Sequence, residues 1–210
     1  MPRIIASPDP SPAPGSLTAK GTATRQRIVE GAVALIRERG AADVSLDDIR
    51  AATGTSKSQL FHYFPDGRSD LLLAVARHEA DQVLADQQPL LGDLASWASW
   101  QAWRQRVIER YRAQGQSCPL SALTSQLASP ATQAVVTSLY ERWQEYLATG
   151  VRALVAAGET GPDTDPEQAA TAILTAVTGG ATMLLATGQI SYLETALTEA
   201  LGRLRPFRTP

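Results

Sequence analysis

Apolar side chains recur at helical spacing along almost the whole chain. Ile28, Ala32, Leu35 and Ile36 fall at intervals of four, three and one, with Arg25, Arg27, Arg37 and Arg39 off that stripe. The pattern predicts an amphipathic helix from about Thr24 to a glycine stop at Gly40. Leu46 and Ile49 give a second, short helix its buried side. Ser45 is placed to cap it, and Asp47 and Asp48 stand in its first turn, where carboxylates favour the helix dipole. Gly54 ends that helix. Ser56 starts a third, with Gln59 three residues on in the pattern of a capping box. Leu60, Phe61 and Phe64 form its apolar side before Pro65 and Gly67 break it.

Longer helices are predicted at about 69–86, 94–114, 130–157, 165–187 and 191–204, with a short one near 119–128. Ser129-Pro130 and Asp165-Pro166-Glu167-Gln168 both read as a cap followed by an N1 proline. No alternating strand pattern and no internal repeat interrupts the series. The expectation is an all-α chain of nine or ten helices. Residues 1–17, with five prolines among Ser, Ala and Gly, have too little apolar surface to offset the cost of ordering and read as a disordered arm.

Composition narrows the function without naming it. Formal net charge is -2, so bulk charge gives no reason to expect nucleic acid. Nine Lys/Arg oppose eight Asp/Glu in residues 1–70, and ten oppose thirteen in 71–210, so any DNA contact has to come from local placement. The single cysteine, Cys118, excludes an intramolecular disulfide or a cysteine-cluster zinc site. No apolar run approaches the roughly 18 residues a bilayer span needs, and Arg3 is followed by no apolar signal core. A cytoplasmic protein without membrane, metal or cofactor is expected. His62 and His78 sit in no nucleophile or metal motif, and Gly179-Gly180 has no strand before it, so an enzyme is not expected.

The segment 45–64 carries the informative chemistry. Two short helices joined through Thr53-Gly54-Thr55 suit a helix-turn-helix, with the glycine allowing the change of direction. Leu60 and Phe64 would face inward. Ser56, Lys57, Ser58, Gln59, His62 and Tyr63 would stay outside, as small or hydrogen-bonding groups with one cation, suited to a major groove. Lys57 and Gln59 could address base edges, while serine hydroxyls and the Tyr63 phenol could reach phosphates.

At these residues the sequence resembles the TetR family of repressors. The runs Ser45-Leu46-Asp47-Asp48-Ile49 and Gly54-Thr55-Ser56-Lys57-Ser58-Gln59-Leu60-Phe61-His62-Tyr63-Phe64 match its motif, and resemblance extends over about 24–75. Pro65-Asp66-Gly67-Arg68 and Cys118-Pro119-Leu120 look like the branch that includes the LmrA and YxaF repressors. The resemblance implies that Ser56, Lys57, Ser58, Gln59 and His62 approach bases or backbone and that Tyr63 meets a phosphate. It implies phosphate contacts for Arg68 and Ser45, at the starts of the fourth and second helices. Arg50 departs from a common small Ala, and Thr55 from a common Val.

The implied organisation is a disordered arm (1–17), a helix-turn-helix DNA-binding domain (18–67), and an effector-binding and dimerisation domain (68–210). Small residues at 169–181 allow close helix approach. Ile173, Val177, Gly180 and Leu184, with the stripe Leu193, Leu197 and Leu201, are the expected dimer interface. Clustered aromatics mark the expected effector site: Trp97, Trp100, Tyr111, Tyr140 and Trp143, with Cys118 beside them. The function that follows is a ligand-responsive repressor. As a homodimer it binds a palindromic double-stranded DNA operator, and a small apolar or aromatic effector releases it. The alternative is a helical protein-binding adaptor without sequence-specific DNA binding.

Overall fold

The computed structural model describes residues 17–116 and 129–205. The proline-rich arm, Cys118, the short helix expected at 119–128 and residues 206–210 lie outside them. Among the described residues there are eight α-helices and no strand. They are α1 (Ala19–Arg39), α2 (Leu46–Thr53), α3 (Lys57–Tyr63), α4 (Arg68–Ala85), α5 (Trp97–Gln114), α6 (Pro130–Ala156), α7 (Pro166–Thr187) and α8 (Ser191–Gly202), with a 3-10 turn at Leu90–Gly92.

The caps explain most boundaries. Ser45, Ser56, Ser96, Ser129 and Asp165 each accept a backbone N–H in the first turn of the helix that follows. α1 begins earlier than its apolar stripe, because the Thr18 hydroxyl accepts from Gly21 N–H at 3.1 Å. Its first turns carry small and polar residues that write no periodicity, and only Gly21 among them is buried.

The helices enclose two apolar cores. One joins Ile28, Ile36, Ile49, Leu60 and Phe64 to the first half of α4, at Leu71, Leu72 and Val75. The other gathers the second half of α4, at Ala80, Val83 and Leu84, with α5, α6, α7 and α8. Helix α4 is thus shared, and Val135 of α6 packs against both cores. Polar ties fasten the second half of α4. Glu79, 4% exposed, meets Arg37 of α1 at 3.2 Å, and His78 Nδ1 lies 3.3 Å from Gln26 Nε2. At the far end Asp86 accepts from Arg110 Nε through its carboxylate and from Arg106 Nε through its carbonyl, both at 2.8 Å.

The structure corrects the expected dimer residues. Ile173, Val177, Leu184, Leu193, Leu197 and Leu201 are all buried in the protomer's own core, and Gly180 is buried with them. A Cβ on Gly180 would lie 2.5 Å from the Leu193 Cα, so α7 and α8 touch backbone to backbone within one chain. Period and composition identify a buried stripe but not the surface it is buried against. The outward strip is a different set, with Ala172, Thr175, Gly179 and Met183 on α7 and Tyr192 and Thr195 on α8 exposed. Helix α7 is also the described helix long and apolar enough to cross a bilayer by length and composition. Its threonines and glycines hide that from a count of consecutive apolar residues, and one of its faces is packed under α6 and α8.

Candidate nucleic-acid interface and effector cavity

The two short helices form a helix-turn-helix through a polar network. Gly54 takes the left-handed conformation (φ 58°, ψ 34°) that ends α2. Thr55 N–H then donates to the Arg50 carbonyl at 3.0 Å. The Thr53 and Thr55 hydroxyls lie 2.8 Å apart, both residues buried, and Thr53 Oγ1 also donates to the Ile49 carbonyl at 2.7 Å. Arg27 of α1 donates to the Thr53 carbonyl. The hydroxyl at Thr55, a departure from the family's common Val, is therefore part of the turn. Sequence reasoning gave Arg27 no part in the turn, because its contact with Thr53 spans 26 residues of chain.

Helix α3 is held by few side chains. Leu60 and Phe64 are fully buried, and Arg25 lies over the Phe64 ring with its guanidinium carbon 5.1 Å from the centroid. Ser56, Lys57, Ser58, Gln59 and His62 are exposed and Tyr63 is half-buried, packed edge-on to His62 at 4.9 Å. Phe61, expected on the apolar side, is 40% exposed and rests beside Gly67. Seven residues make barely two turns, and the core reaches only the i, i+4 pair Leu60 and Phe64.

Several predicted contact residues also serve the fold. Ser56 and Gln59 form a reciprocal capping box at 3.2 Å, which engages the Gln59 carbonyl oxygen and leaves its amide nitrogen outside. Ser45 and Asp48 form another on α2, with Asp48 N–H donating to the Ser45 hydroxyl at 3.1 Å. The Asp48 carboxyl is held below its ordinary 3.8 by the Ser45 hydroxyl, then by the Ser45 N–H, with a smaller pull from Arg39. Arg68, expected at a phosphate, is half-buried and donates to the Ala41 and Val44 carbonyls, so its guanidinium fixes the loop between α1 and α2.

A cavity of about 70 Å³ lies between α4, α5, α6 and α7. It brings together Tyr111, Tyr140 and Trp143 of the predicted set, with Val83, Leu139, Ala181 and Leu185 as apolar walls and Arg110, Thr178 and Thr182 as polar ones. Trp143 is 2% exposed and its Nε1–H has no partner among the described residues. The Arg110 guanidinium is neutralised by Asp86, and the Thr178 and Thr182 hydroxyls donate to carbonyls of their own helix. Trp100 and Trp97 are not at this cavity. Trp100 is fully buried edge-on to Trp103 at 5.6 Å, and Trp97 lies near the chain's end under Arg205. A wider groove of about 420 Å³ between α4 and α6, carrying Arg77, Asp81 and Arg142, contains none of the predicted aromatics.

A helix-turn-helix on a small core, joined by one shared helix to a larger helical bundle, is the architecture of a DNA-binding transcriptional regulator. Residues 28–75 match the family described as bacterial regulatory proteins, tetR family, and residues 95–200 match the tetracyclin repressor-like C-terminal domain. The chain belongs to the TetR family, whose members are DNA-binding transcription factors rather than enzymes. The matches define the family and not the LmrA and YxaF branch. The alternative of a protein-binding adaptor is not favoured.

An HTH-type transcriptional regulator of Mycobacterium tuberculosis, described as uncharacterized, is 28% identical over 145 residues, covering 60% of this chain and 71% of that one. The HTH-type transcriptional repressor AcnR of Corynebacterium glutamicum is 39% identical over 61 residues, covering 29% and 32%. Among solved structures, the complex of SmeT with triclosan superposes with a TM-score of 0.68 at 17% identity, covering 89% of this chain and 93% of that one. At that identity the likeness is one of fold.

Proposed function

We propose that the protein is a cytoplasmic homodimeric repressor that reads a palindromic operator and releases it when a small apolar or aromatic molecule occupies the cavity beside Trp143. The observation that carries the reading is α4. One rigid helix is tied to α1 through Glu79 and His78, and it walls the cavity with Val83 next to the Arg110–Asp86 pair. A ligand that enlarges the cavity shifts α4, and the reading head moves with it.

In this reading Lys57, Ser58, Gln59 and His62 meet base edges, and Ser45, Ser56 and Tyr63 meet phosphates. Two copies pair through the outward strip of α7 and α8, which carries no charge between Gln168 and Leu193. An uncharged helix face of that length favours burial against its own copy. The relative AcnR is named a repressor, and SmeT, described as the repressor of a multidrug efflux pump, has a structure described as a complex with triclosan. Both names fit this reading.

The test is selection of a randomised duplex pool by the purified protein at moderate salt. The expected result is one palindrome whose half-sites lie about one DNA turn apart, roughly 34 Å. Lys57→Ala should weaken binding to it, and a compound screen against the complex should find aromatic molecules that release the DNA. A retained pool that stays random would defeat the operator reading.

A further inference from the structure

The cations of the DNA-reading head differ in what already holds them. Arg27 donates to the Thr53 carbonyl, Arg68 to the Ala41 carbonyl, and Arg37 is paired with buried Glu79. Arg25 covers Phe64. These four guanidiniums are engaged by other groups of the fold. Within the helix-turn-helix itself, residues 45–64, only two cations occur, Arg50 and Lys57, and they are matched by Asp47 and Asp48. The reading motif therefore has no net charge of its own to offer a polyanion.

Arg50 is held differently from the other four guanidiniums. Its one ion pair among the described residues is with Asp47, Nη1 to Oδ1 at 2.5 Å, one helical turn earlier on α2. The Asp47 side chain is 84% exposed, while that of Arg50 is 31% exposed. The Arg50 Nε is buried with no partner among the described residues. Both residues line a surface cleft of about 490 Å³ whose other wall is Gly54, Thr55 and Ser56, the residues that lead into α3. Asp48 is occupied by Ser45, so Asp47 is the carboxylate free to move away.

We propose that Arg50 is a phosphate-contacting arm on α2 beside the reading helix, and that docking exchanges its Asp47 carboxylate for a DNA phosphate. A phosphate entering the cleft mouth repels Asp47 and offers the guanidinium a bidentate partner in its place. The exposed carboxylate loses little on returning to water, so the exchange is cheap where stripping Arg37 from the buried Glu79 carboxylate would not be. Asp47 keeps the free helix-turn-helix neutral and makes its affinity for DNA weaker than the bare cations would give.

The exchange is readable in salt dependence with the full chain and a labelled duplex of arbitrary sequence about 30 bp long, titrated between about 50 and 200 mM KCl. Arg50→Ala should make the plot of log K against log salt shallower by about 0.9, the loss of one phosphate contact. Arg50→Gln, which keeps bulk in the cleft, should do the same if the alanine variant loses helix content. Arg50→Lys should keep most of the slope. Asp47→Asn should tighten binding in the wild-type background and tighten it less beside Arg50→Gln. A folded Arg50→Gln with the wild-type slope overturns the contact. An equal gain from Asp47→Asn in both backgrounds overturns the exchange.

Discussion

The DNA-reading head and the helical bundle are built by different means. The head's two reading helices, α2 and α3, are short, and their geometry depends on polar groups: two reciprocal capping boxes, the Thr53–Thr55 hydroxyl pair and arginines that donate to loop carbonyls. The bundle's helices are long and rest on buried bulk, with Trp100, Trp103 and Trp143 among its largest enclosed side chains. A head held by directional bonds keeps a small exposed surface in fixed register. A bundle held by packing tolerates a cavity, because losing part of one apolar contact removes no directional bond. The difference fits the proposed division of labour, in which the reader needs fixed donors and the proposed effector site needs a shape that can yield.

Substitutions can break or sharpen the contrast. The largest effect is expected for Trp103→Ala, which opens a void and leaves the buried Gln87 carbonyl oxygen without its indole donor. It should cost about 3–5 kcal/mol in urea unfolding. Next is Gly31→Ala. A Cβ there would stand 2.3 Å from Thr53 Cγ2, so α1 and α2 must separate. A loss of about 1–3 kcal/mol is expected, together with weakened DNA binding. Thr53→Ser, which removes that methyl, should restore much of both in the double variant; additive losses would show that the clash is not the cause.

Thr55→Val is expected to cost about 1 kcal/mol or less by thermal unfolding, because Thr53 keeps its bond to the Ile49 carbonyl. The smallest effect is on pH. Asp48 has a depressed folded pKa, so its contribution is present above the unfolded value and lost as pH falls through the folded one. Helicity of the head should therefore decline on acidification below the ordinary carboxylate range, and Asp48→Asn should flatten that part of the acid titration.

Much of the head was legible because its signals are local. Ser45, Ser56, Gly54 and the pair Leu60 and Phe64 act within four residues of the groups they satisfy, and each stands where the spacing predicted. Phe61 was misplaced because adjacent apolar residues on a two-turn helix cannot both face one small core. In the bundle the aromatics were visible but their destinations were not. Tyr111, Tyr140 and Trp143 meet at one cavity, whereas Trp97 and Trp100 lie elsewhere, although the pairs 97–100 and 140–143 have the same helical spacing.

The sequence by itself determined most of the described helices, the caps at Ser45, Ser56, Ser129 and Asp165, the turn at Gly54 and the exposed face of α3, because capping and period are short-range properties of the chain. Which apolar stripe faces which neighbour was decided only in three dimensions. Ile173, Val177 and Leu193 look the same in sequence whether they meet a second copy or their own bundle, and the close backbone approach of α7 and α8 at Gly180 assigned them to the protomer. The engagement of Arg68 and Arg27 by distant carbonyls was decided there too. A guanidinium's partner is set by which carbonyls the folded backbone leaves within its reach, and no spacing along the chain records that.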